Sequence, residues 1–485
     1  METPAAIPTP LEAADAAANS RWGVLRHKHF RRVFAAAFVS NVGTWMELLA
    51  IQMIVAHVTG SLKMLGILGA VHLLPVLMFG LLGGLLADRV NRKMLLIVTQ
   101  FMLMLIAGAM AVVSATEMPP DQRVNMLLGL AALNGLVMAF NVPAWQVLTP
   151  RLVPRAELTR AITANGVQFN LARVIGPAIA GMLLGWYGPT PLFILNTVTF
   201  IGVLAAIWTT PDSPAPPRSG VPWTREIAAA GAFVFRQPGP LAILFAMVLM
   251  SALAAPLIRM LPLVVIDVYG IGAQLADSAV GAVVTSSAST NSAADRATGV
   301  LIAILGVGAV IGGISLRHVP PWYPKHHFIP MAITGAGLSI TGFAFCTSMV
   351  AGCIVILICG IFWIWGFNQS WAAMQHAVPD EMRGRVLAIA NVASFGANAA
   401  GNLASGWLGE GMAPYLGRAM ATQLAVGGMS FVLLVAGVVM LVHRVPEVDG
   451  MPRRPLPRTL RKGLINAVLA TEHRPRERAL RDDAE

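Results

Sequence analysis

The sequence predicts an all-α membrane protein: twelve transmembrane helices in two pseudo-repeated six-helix bundles. Three observations lead to this class. The 485 residues are 56% hydrophobic and only 12% charged, against roughly 25% charged in soluble domains. The hydrophobic residues fall into twelve runs, each long enough to cross a bilayer as a helix. The charges lie between the runs and are unevenly distributed.

Residues 1–32 read as a cytoplasmic N-terminal tail. The first part is Ala- and Pro-rich with Glu2, Glu12 and Asp15, and it lacks the basic segment and apolar core of a secretory signal. Spans 1 to 6 are expected at 33–57, 64–87, 94–116, 124–149, 160–186 and 190–209, giving a first bundle over 33–209. Gly188-Pro189 marks a tight turn between spans 5 and 6, since Pro cannot continue a helix. Residues 210–240 open with Pro211-Asp212-Ser213-Pro214 and read as a polar linker on the cytoplasmic side. Spans 7 to 12 are expected at 241–266, 298–316, 327–348, 351–375, 386–409 and 419–442, giving a second bundle over 241–442. The Ser-, Ala- and Gly-rich segment from Asp267 to Ala297 has no assigned role. Residues 443–485 are a basic tail. There Leu456, Leu460, Leu464 and Val468 recur every fourth residue, as in an amphipathic surface helix or, equally, a disordered tail. Cys346, Cys353 and Cys359 lie in apolar runs, form no CxxC pair, and read as small hydrophobes.

Twelve spans place both termini on one side. Of the 34 Lys and Arg, 28 fall in the tails and the even-to-odd loops. On the other side stand only Lys63, Arg123, Arg296 and Arg418, while Arg173 and Arg259 lie inside spans. This asymmetry orients the chain with both termini in the cytoplasm. It also explains the net charge of +11 without nucleic acid as a partner. The halves repeat at an offset of 225 residues: Gly83 matches Gly308, Arg92 matches Arg317, Gly176 matches Gly401, and Gly181 matches Gly406. Such a shared offset is expected of parallel structural repeats.

Between spans 2 and 3 the chain reads Gly83-Gly84-Leu85-Leu86-Ala87-Asp88-Arg89-Val90-Asn91-Arg92-Lys93. The pattern and its place resemble the loop between helices 2 and 3 of the major facilitator superfamily. Asn91 stands where that family commonly has Gly, and Asn tolerates a left-handed backbone better than most residues, so a tight turn is expected there. The runs Ser40-Asn41-Val42-Gly43-Thr44-Trp45-Met46, Asn141-Val142-Pro143-Ala144-Trp145-Gln146 and Val378-Pro379-Asp380-Glu381-Met382-Arg383-Gly384-Arg385 resemble the efflux branch of that superfamily. This is the branch that includes the enterobactin exporter and macrolide efflux proteins. The resemblance covers about residues 22–442 and implies a multi-pass transporter of a bacterial-type inner membrane. It also implies a conformational lock: Asp88, with Gly83, Arg89, Arg92 and Lys93, meets the amino end of span 11, assisted by Arg385, when the cytoplasmic side closes. Gly176-Pro177 and Gly181 in span 5 resemble the superfamily's antiporter motif, with Ala172 at the first position in place of the usual Gly. Ordinary tight packing accounts for the same small residues.

Glu47 lies near mid-span, where a charge costs roughly 2.5–3.5 kcal/mol on insertion scales. It reads as a proton carrier or a site for a cationic substrate group, or as a structural hydrogen-bond partner of a neighbouring helix. Ser40, Thr44 and Glu47 share a helical face, with Asn41 beside it. Arg173 reads as a substrate contact, as the counter-charge of Glu47, or as part of a fixed ion pair. Arg259 is expected to snorkel to the outer interface, and His72 to be a buried neutral imidazole. Asn41, Asn141, Trp145, Trp363, Asn368 and Gln369 form an aromatic–amide set that suits a cavity for amphipathic compounds; interface anchoring is the alternative for the tryptophans.

No P-loop, HExxH or ligand cluster occurs, so neither direct ATP use nor a cofactor or metal is expected. The expected function is that of a secondary active exporter of amphipathic organic compounds, drug- or siderophore-like, driven by inward proton flow and embedded in the lipid bilayer. An importer or lipid flippase of the same fold is the nearest alternative. A polytopic membrane enzyme and a structural or signalling membrane protein are the alternatives of other classes. An enzyme of that kind is expected to carry acid or His pairs near one membrane face, whereas the intramembrane polar residues here sit at mid-depth.

Overall fold

The structure, a computed structural model, describes residues 23–211, 223–271, 287–320, 323–443, 445 and 448. The expected surface helix at Leu456 to Val468 lies outside them, as do residues 1–22 of the N-terminal tail. Among the described residues, twelve helices are long and apolar enough to cross a membrane. In chain order they are α1 Lys28–Thr59, α2 Leu62–Arg89, α3 Arg92–Ala115, α4 Pro120–Leu152, α5 Leu158–Tyr187, α6 Thr190–Trp208, α7 Pro238–Val268, α8 Ser287–Ser315, α9 Lys325–Phe345, α10 Met349–Ala377, α11 Asp380–Leu416 and α12 Arg418–Val442. No strand occurs among the described residues. Successive helices alternate in direction, so α1 begins and α12 ends on one face, here called the near face; the opposite one is the far face.

Local chemistry sets the helix ends. Gly60, with φ of 53°, closes α1 in the left-handed conformation that glycine adopts without penalty. The Ser61 hydroxyl then caps α2 by accepting from the Met64 amide at 3.2 Å. Asn91 does not take the left-handed turn the motif suggests. Its φ is −62° and its backbone extended, because its side chain caps α3, accepting from the amides of Lys93 at 3.0 Å and Met94 at 3.3 Å.

Three stretches differ from their sequence expectation. The polar linker holds a helix, Trp223–Arg236, that buries Ala230 and Val234 and packs on α7 and α11. Helix α8 begins at Ser287, well before the expected start at 298, since a Ser/Ala/Thr-rich segment propagates as helix once neighbours cover one side. Helix α7 carries two π-turns, Met250–Ala254 and Val264–Val268, one on each side of the segment containing Pro256 and Pro262; Pro removes the regular donors there.

The two six-helix bundles show their repeat in their closest approaches. A Cβ on Gly83 would collide with the Ala139 carbonyl of α4, and one on Gly308 with the Leu357 carbonyl of α10. Gly176 lies against Trp45 and Val42 of α1, and its repeat mate Gly401 against Ala252 of α7. Gly181 of α5 meets Gly299 of α8, and its mate Gly406 of α11 meets Gly66 of α2. The first two pairs knit each bundle internally; the third joins the bundles. The α2–α11 and α5–α8 pairs dominate the boundary between them, as small residues allow when helices associate in lipid.

Candidate functional site

At the boundary, two arginines are buried. Arg173 of α5 is 9% exposed and Arg259 of α7 is 8% exposed. The Arg173 guanidinium carbon lies 5.8 Å from the Trp45 ring centre and 5.4 Å from that of Trp363. Trp45 belongs to the same bundle and Trp363 to the other. Each indole contributes about 0.5–2 kcal/mol by cation–π attraction, while removing an ion from water costs several kcal/mol. The rings alone do not offset that cost. Arg173 Nε and Nη2 and Arg259 Nη1 meet no protein acceptor. The Arg259 segment of α7 packs across the boundary against α2. The expected snorkelling of Arg259 to the outer interface does not occur: the residue is held inside, where its segment also packs against α1, α8, α11 and α12.

The structure does not bring Glu47 to Arg173. Glu47 is 6% exposed, and its Oε2 accepts from Asn196 Nδ2 of α6 at 2.6 Å. One turn earlier, Gly43 lets α1 approach the same residue; a Cβ there would lie 2.6 Å from Asn196 Oδ1. Thus the Ser40–Gly43–Glu47 face turns toward α6, while Val42 and Trp45 turn toward α5. Thr44, expected on the Glu47 face, is exposed and donates back to the Ser40 carbonyl at 3.0 Å.

The expected cavity set divides. Trp363 covers Arg173, and Asn41 donates to Gln168 of α5 at 3.4 Å. Asn368 is exposed and Gln369 half-buried on α10. Asn141 is not a cavity residue: it is buried and donates to Thr99 Oγ1 of α3 at 2.9 Å, since an amide inside a bundle must be paired. Trp145 packs against the cluster of Leu95, Leu96, Leu148 and Val203 from α3, α4 and α6 rather than lining the boundary.

At the far face the bundles are clamped. The Ser61 hydroxyl donates to Glu410 Oε2 at 2.9 Å, and the Lys63 amide donates to the same oxygen at 3.3 Å. A carboxylate from α11 therefore sits at the N-terminus of α2, where the helix dipole favours it. The Lys63 ammonium lies 4.2 Å from the Trp407 ring centre. Arg418 donates to the Gly60 carbonyl and to Asp267, at 3.3 Å for the latter, and Thr422 donates to Asp267 at 2.9 Å. His57 Nε2 of α1 stands 3.5 Å from Asp295 Oδ1 of α8. Far-half contacts bring backbone onto backbone, as where a Cβ on Gly66 would lie 2.5 Å from the Asn402 carbonyl oxygen, and set Gly69 against the Asn402 side chain. Past mid-depth they involve side chains, Leu77 against Gly396 and Val392 against Gly80.

The near-face motif has a more local geometry. Asp88 and Arg89 occupy the last turn of α2. Arg92 is buried at the start of α3, and Lys93 Nζ donates to the Thr210 carbonyl at 2.6 Å, tying α3 to the end of α6. Arg385 is half-buried near the start of α11. Gly176, Pro177 and Gly181 seal α5 against α1 and α8, with the Pro177 carbonyl 2.7 Å from where a Gly299 Cβ would be. Nearby, Glu157 pairs with Arg26 and with His27 Nε2 at 3.0 Å. Although burial opposes it, the His27 hydrogen bond and the Arg26 charge hold the Glu157 carboxyl below its ordinary range. No group of three or more His, Cys, Asp or Glu suited to a metal occurs among the described residues.

Asn196, Asp295, His57, Glu410 and Arg418 were not singled out from the sequence as site residues. The far-face charges were the available signal: on a face with so few of them, each basic residue invites a search for its acid.

A family described as transmembrane secretion effectors has a sequence profile that matches residues 19–475. The enterobactin exporter of Salmonella typhi is 26% identical over 437 residues, 87% of this chain and 96% of that protein. The staphyloferrin A transporter of Staphylococcus aureus is 27% identical over 177 residues, 36% of this chain, and the match spans 44% of that relative's length. Macrolide efflux protein A of Streptococcus pyogenes is 27% identical over 178 residues, 37% of this chain and 42% of its own. Among solved structures, a D-xylose–proton symporter superposes with a TM-score of 0.63 at 14% identity, over 87% of this chain and 100% of the other. A nucleoside transporter gives a TM-score of 0.62 at 14% identity, over 85% and 99%. These structural likenesses are of fold.

Proposed function

Since the chain belongs to the transmembrane secretion effector family of the major facilitator superfamily, we propose that this membrane transporter is a proton-driven exporter of amphipathic organic compounds, drug- or siderophore-like. Its relatives and structural neighbours are membrane transporters, which sets aside the polytopic enzyme. The outward direction rests on relatives named as an enterobactin exporter and a macrolide efflux protein; an importer or flippase shares the fold.

The observation that carries the proposal is the clamp. Two bundles meet across antiparallel pairs, closed at the far face by Glu410 on the start of α2 and by Arg418 on Gly60. Between them lie buried charges at mid-depth. That arrangement suits alternating access around a central site. With the near face taken as the cytoplasm of a bacterial-type cell, from the Lys/Arg asymmetry, this is the inward-facing state. Asp88, in the last turn of α2, is then the near-face counterpart of Glu410: it locks the cytoplasmic side by meeting the start of α11 in the outward-facing state.

Glu47 is the proposed proton site. It is the acid buried at mid-depth of α1, its partner is an amide rather than a cation, and repacking α1 against α6 changes its access to water. The test uses everted vesicles with a pH-sensitive dye and a panel of labelled amphipathic compounds. Wild type moves compound and protons together. Glu47→Gln keeps the Asn196 contact, loses pH-gradient-driven transport and retains downhill exchange. Gradient-driven transport at wild-type rates in Glu47→Gln refutes the proton role. Cysteine labelling from outside should spare position 218 and reach position 117.

A further inference from the structure

The two boundary arginines point to a charge on the cargo. Both are more than nine-tenths buried, and neither forms an ion pair with an acid among the described residues. Glu47 is engaged by Asn196, Asp267 by Arg418 and Thr422, Asp295 faces His57, and Glu410 holds the start of α2. Arg173 Nε and Nη2 are buried and meet no acceptor among the described residues. They form one edge of the guanidinium, the edge that grips a carboxylate through two parallel hydrogen bonds. The ring faces of Trp45 and Trp363 hold the plane of that fork. Arg259 Nη1 has no protein acceptor either.

We infer that the central site takes an organic acid, its carboxylate docking on the Nε–Nη2 edge of Arg173 beside Trp45 and Trp363. The inference rests on the transport reading above and narrows its cargo from amphipathic compounds in general to anionic ones. Because Arg173 comes from one bundle and lies over Trp363 of the other, the bound anion draws both halves onto one ligand. A cationic compound meets a like charge there, and a neutral one leaves the fork unpaired. A lipid phosphate offers the same oxyanion chemistry, and the arms of the test separate it from a soluble acid.

The experiment measures binding to the purified full-length chain in nanodiscs of zwitterionic lipid, by calorimetry and tryptophan fluorescence. The probes are 2-naphthoic acid, its methyl ester, 2-naphthylmethylamine and 2-naphthyl phosphate. The acid and the phosphate bind; the ester and the amine bind at least about tenfold more weakly, as expected where a polar site is left unpaired. Arg173→Lys keeps the charge and loses the fork, so it weakens the acid about tenfold or more while the melting temperature stays at the wild-type value. If that variant does not fold, the acid-against-ester comparison on the wild-type chain decides alone. Equal binding of acid and ester, preference for the amine, or no binding of either oxyanion overturns the inference. So does phosphatidic acid stabilising the chain when naphthoate does not bind, which assigns the fork to a lipid headgroup. Gradient-driven transport of neutral or cationic compounds in vesicles leaves the export reading standing while this inference falls; absence of any gradient-driven transport removes the export reading itself.

Discussion

Replacing Gly66 by Ala is expected to open the far face. The added Cβ would lie 2.5 Å from the Asn402 carbonyl oxygen and 3.1 Å from the Gly406 Cα. A relaxed carbon–oxygen contact is about 3.3 Å, so α2 and α11 must separate by about 0.8 Å. Both obstacles are backbone and cannot rotate away. Overpacking of this kind costs about 1–3 kcal/mol. The cost falls only on the clamped state, because the contact joins the two bundles. The ratio of far-open to far-closed molecules therefore rises about 5- to 150-fold. The assay is a spin–spin distance distribution between labels at Glu117→Cys and Tyr415→Cys, both exposed sites at the far face. Gly308→Ala is the control: its Cβ collides with the Leu357 carbonyl inside one bundle, so it lowers the melting temperature and leaves the state ratio alone. The reasoning fails if Gly66→Ala leaves the distance distribution at wild type, or if Gly308→Ala shifts it as much.

The other expectations use the same readouts. Glu410→Gln removes the charge from the start of α2 and raises the far-open to far-closed ratio at least about fivefold, since losing the charge weakens the hydrogen bonds and the dipole interaction by about 1 kcal/mol or more together; an unchanged ratio means that Gly66 and Gly406 alone hold the seal. Asp88→Asn shifts the balance the opposite way, toward the inward-facing state, and a wild-type ratio in that variant counts against the near-face lock. Glu157 has a folded-state affinity for protons below the ordinary one, so its contribution is present above the unfolded carboxylate range near pH 4.3 and is lost as pH falls through its folded value. Hydrogen exchange at Val24 to Arg26 should accelerate through that acid window in wild type and show no such step in Glu157→Gln.

Much of the architecture was legible in the sequence because it depends on local composition and spacing. Span length, the Lys/Arg asymmetry and the offset of 225 residues are one-dimensional signals. Gly83, Gly176 and Gly181 were found by their spacing, and each sits at a close approach, as do their repeat mates. What was not legible is azimuth. A polar residue at mid-span must face something polar, but the helical period does not say whether that is a cavity or a neighbour in the same bundle. Asn141 finds Thr99 and Glu47 finds Asn196, and both turn away from the boundary for that reason. The start of α8 was hidden differently. Its Ser-, Ala- and Thr-rich sequence lacks an apolar stripe, so Asp295 read as part of a loop. The far-face clamp joins residues about 350 positions apart, such as Ser61 and Glu410, and no local pattern marks such a pair.

The antiparallel pairing of α2 and α11 explains how one kind of contact can serve both states of a transporter. Helix α2 starts at the far face and α11 starts at the near face. Each therefore presents its amide-rich start beside the closing turns of the other. Glu410, near the end of α11, already occupies the start of α2; Asp88, in the last turn of α2, is the acid available to the start of α11. Taking the Leu77–Gly396 contact as the pivot, the arms of α2 are about 25 Å toward Ser61 and about 17 Å toward Asp88, at 1.5 Å per residue. A rigid-body rotation of about 15°, the scale of known subunit rotations, moves those ends by about 4–6 Å. That breaks a 2.9 Å hydrogen bond at one end while closing the other. With Asp88 as the proposed near-face lock, both locks place a carboxylate at a helix start, and the balance between states passes to what binds between the bundles. On the proposed reading an anion on Arg173 biases this rotation directly, because α5 and α10 lie on opposite sides of the boundary. A proton on Glu47 acts inside one bundle, on the α1–α6 contact, and reaches the rotation only through a shift of α1.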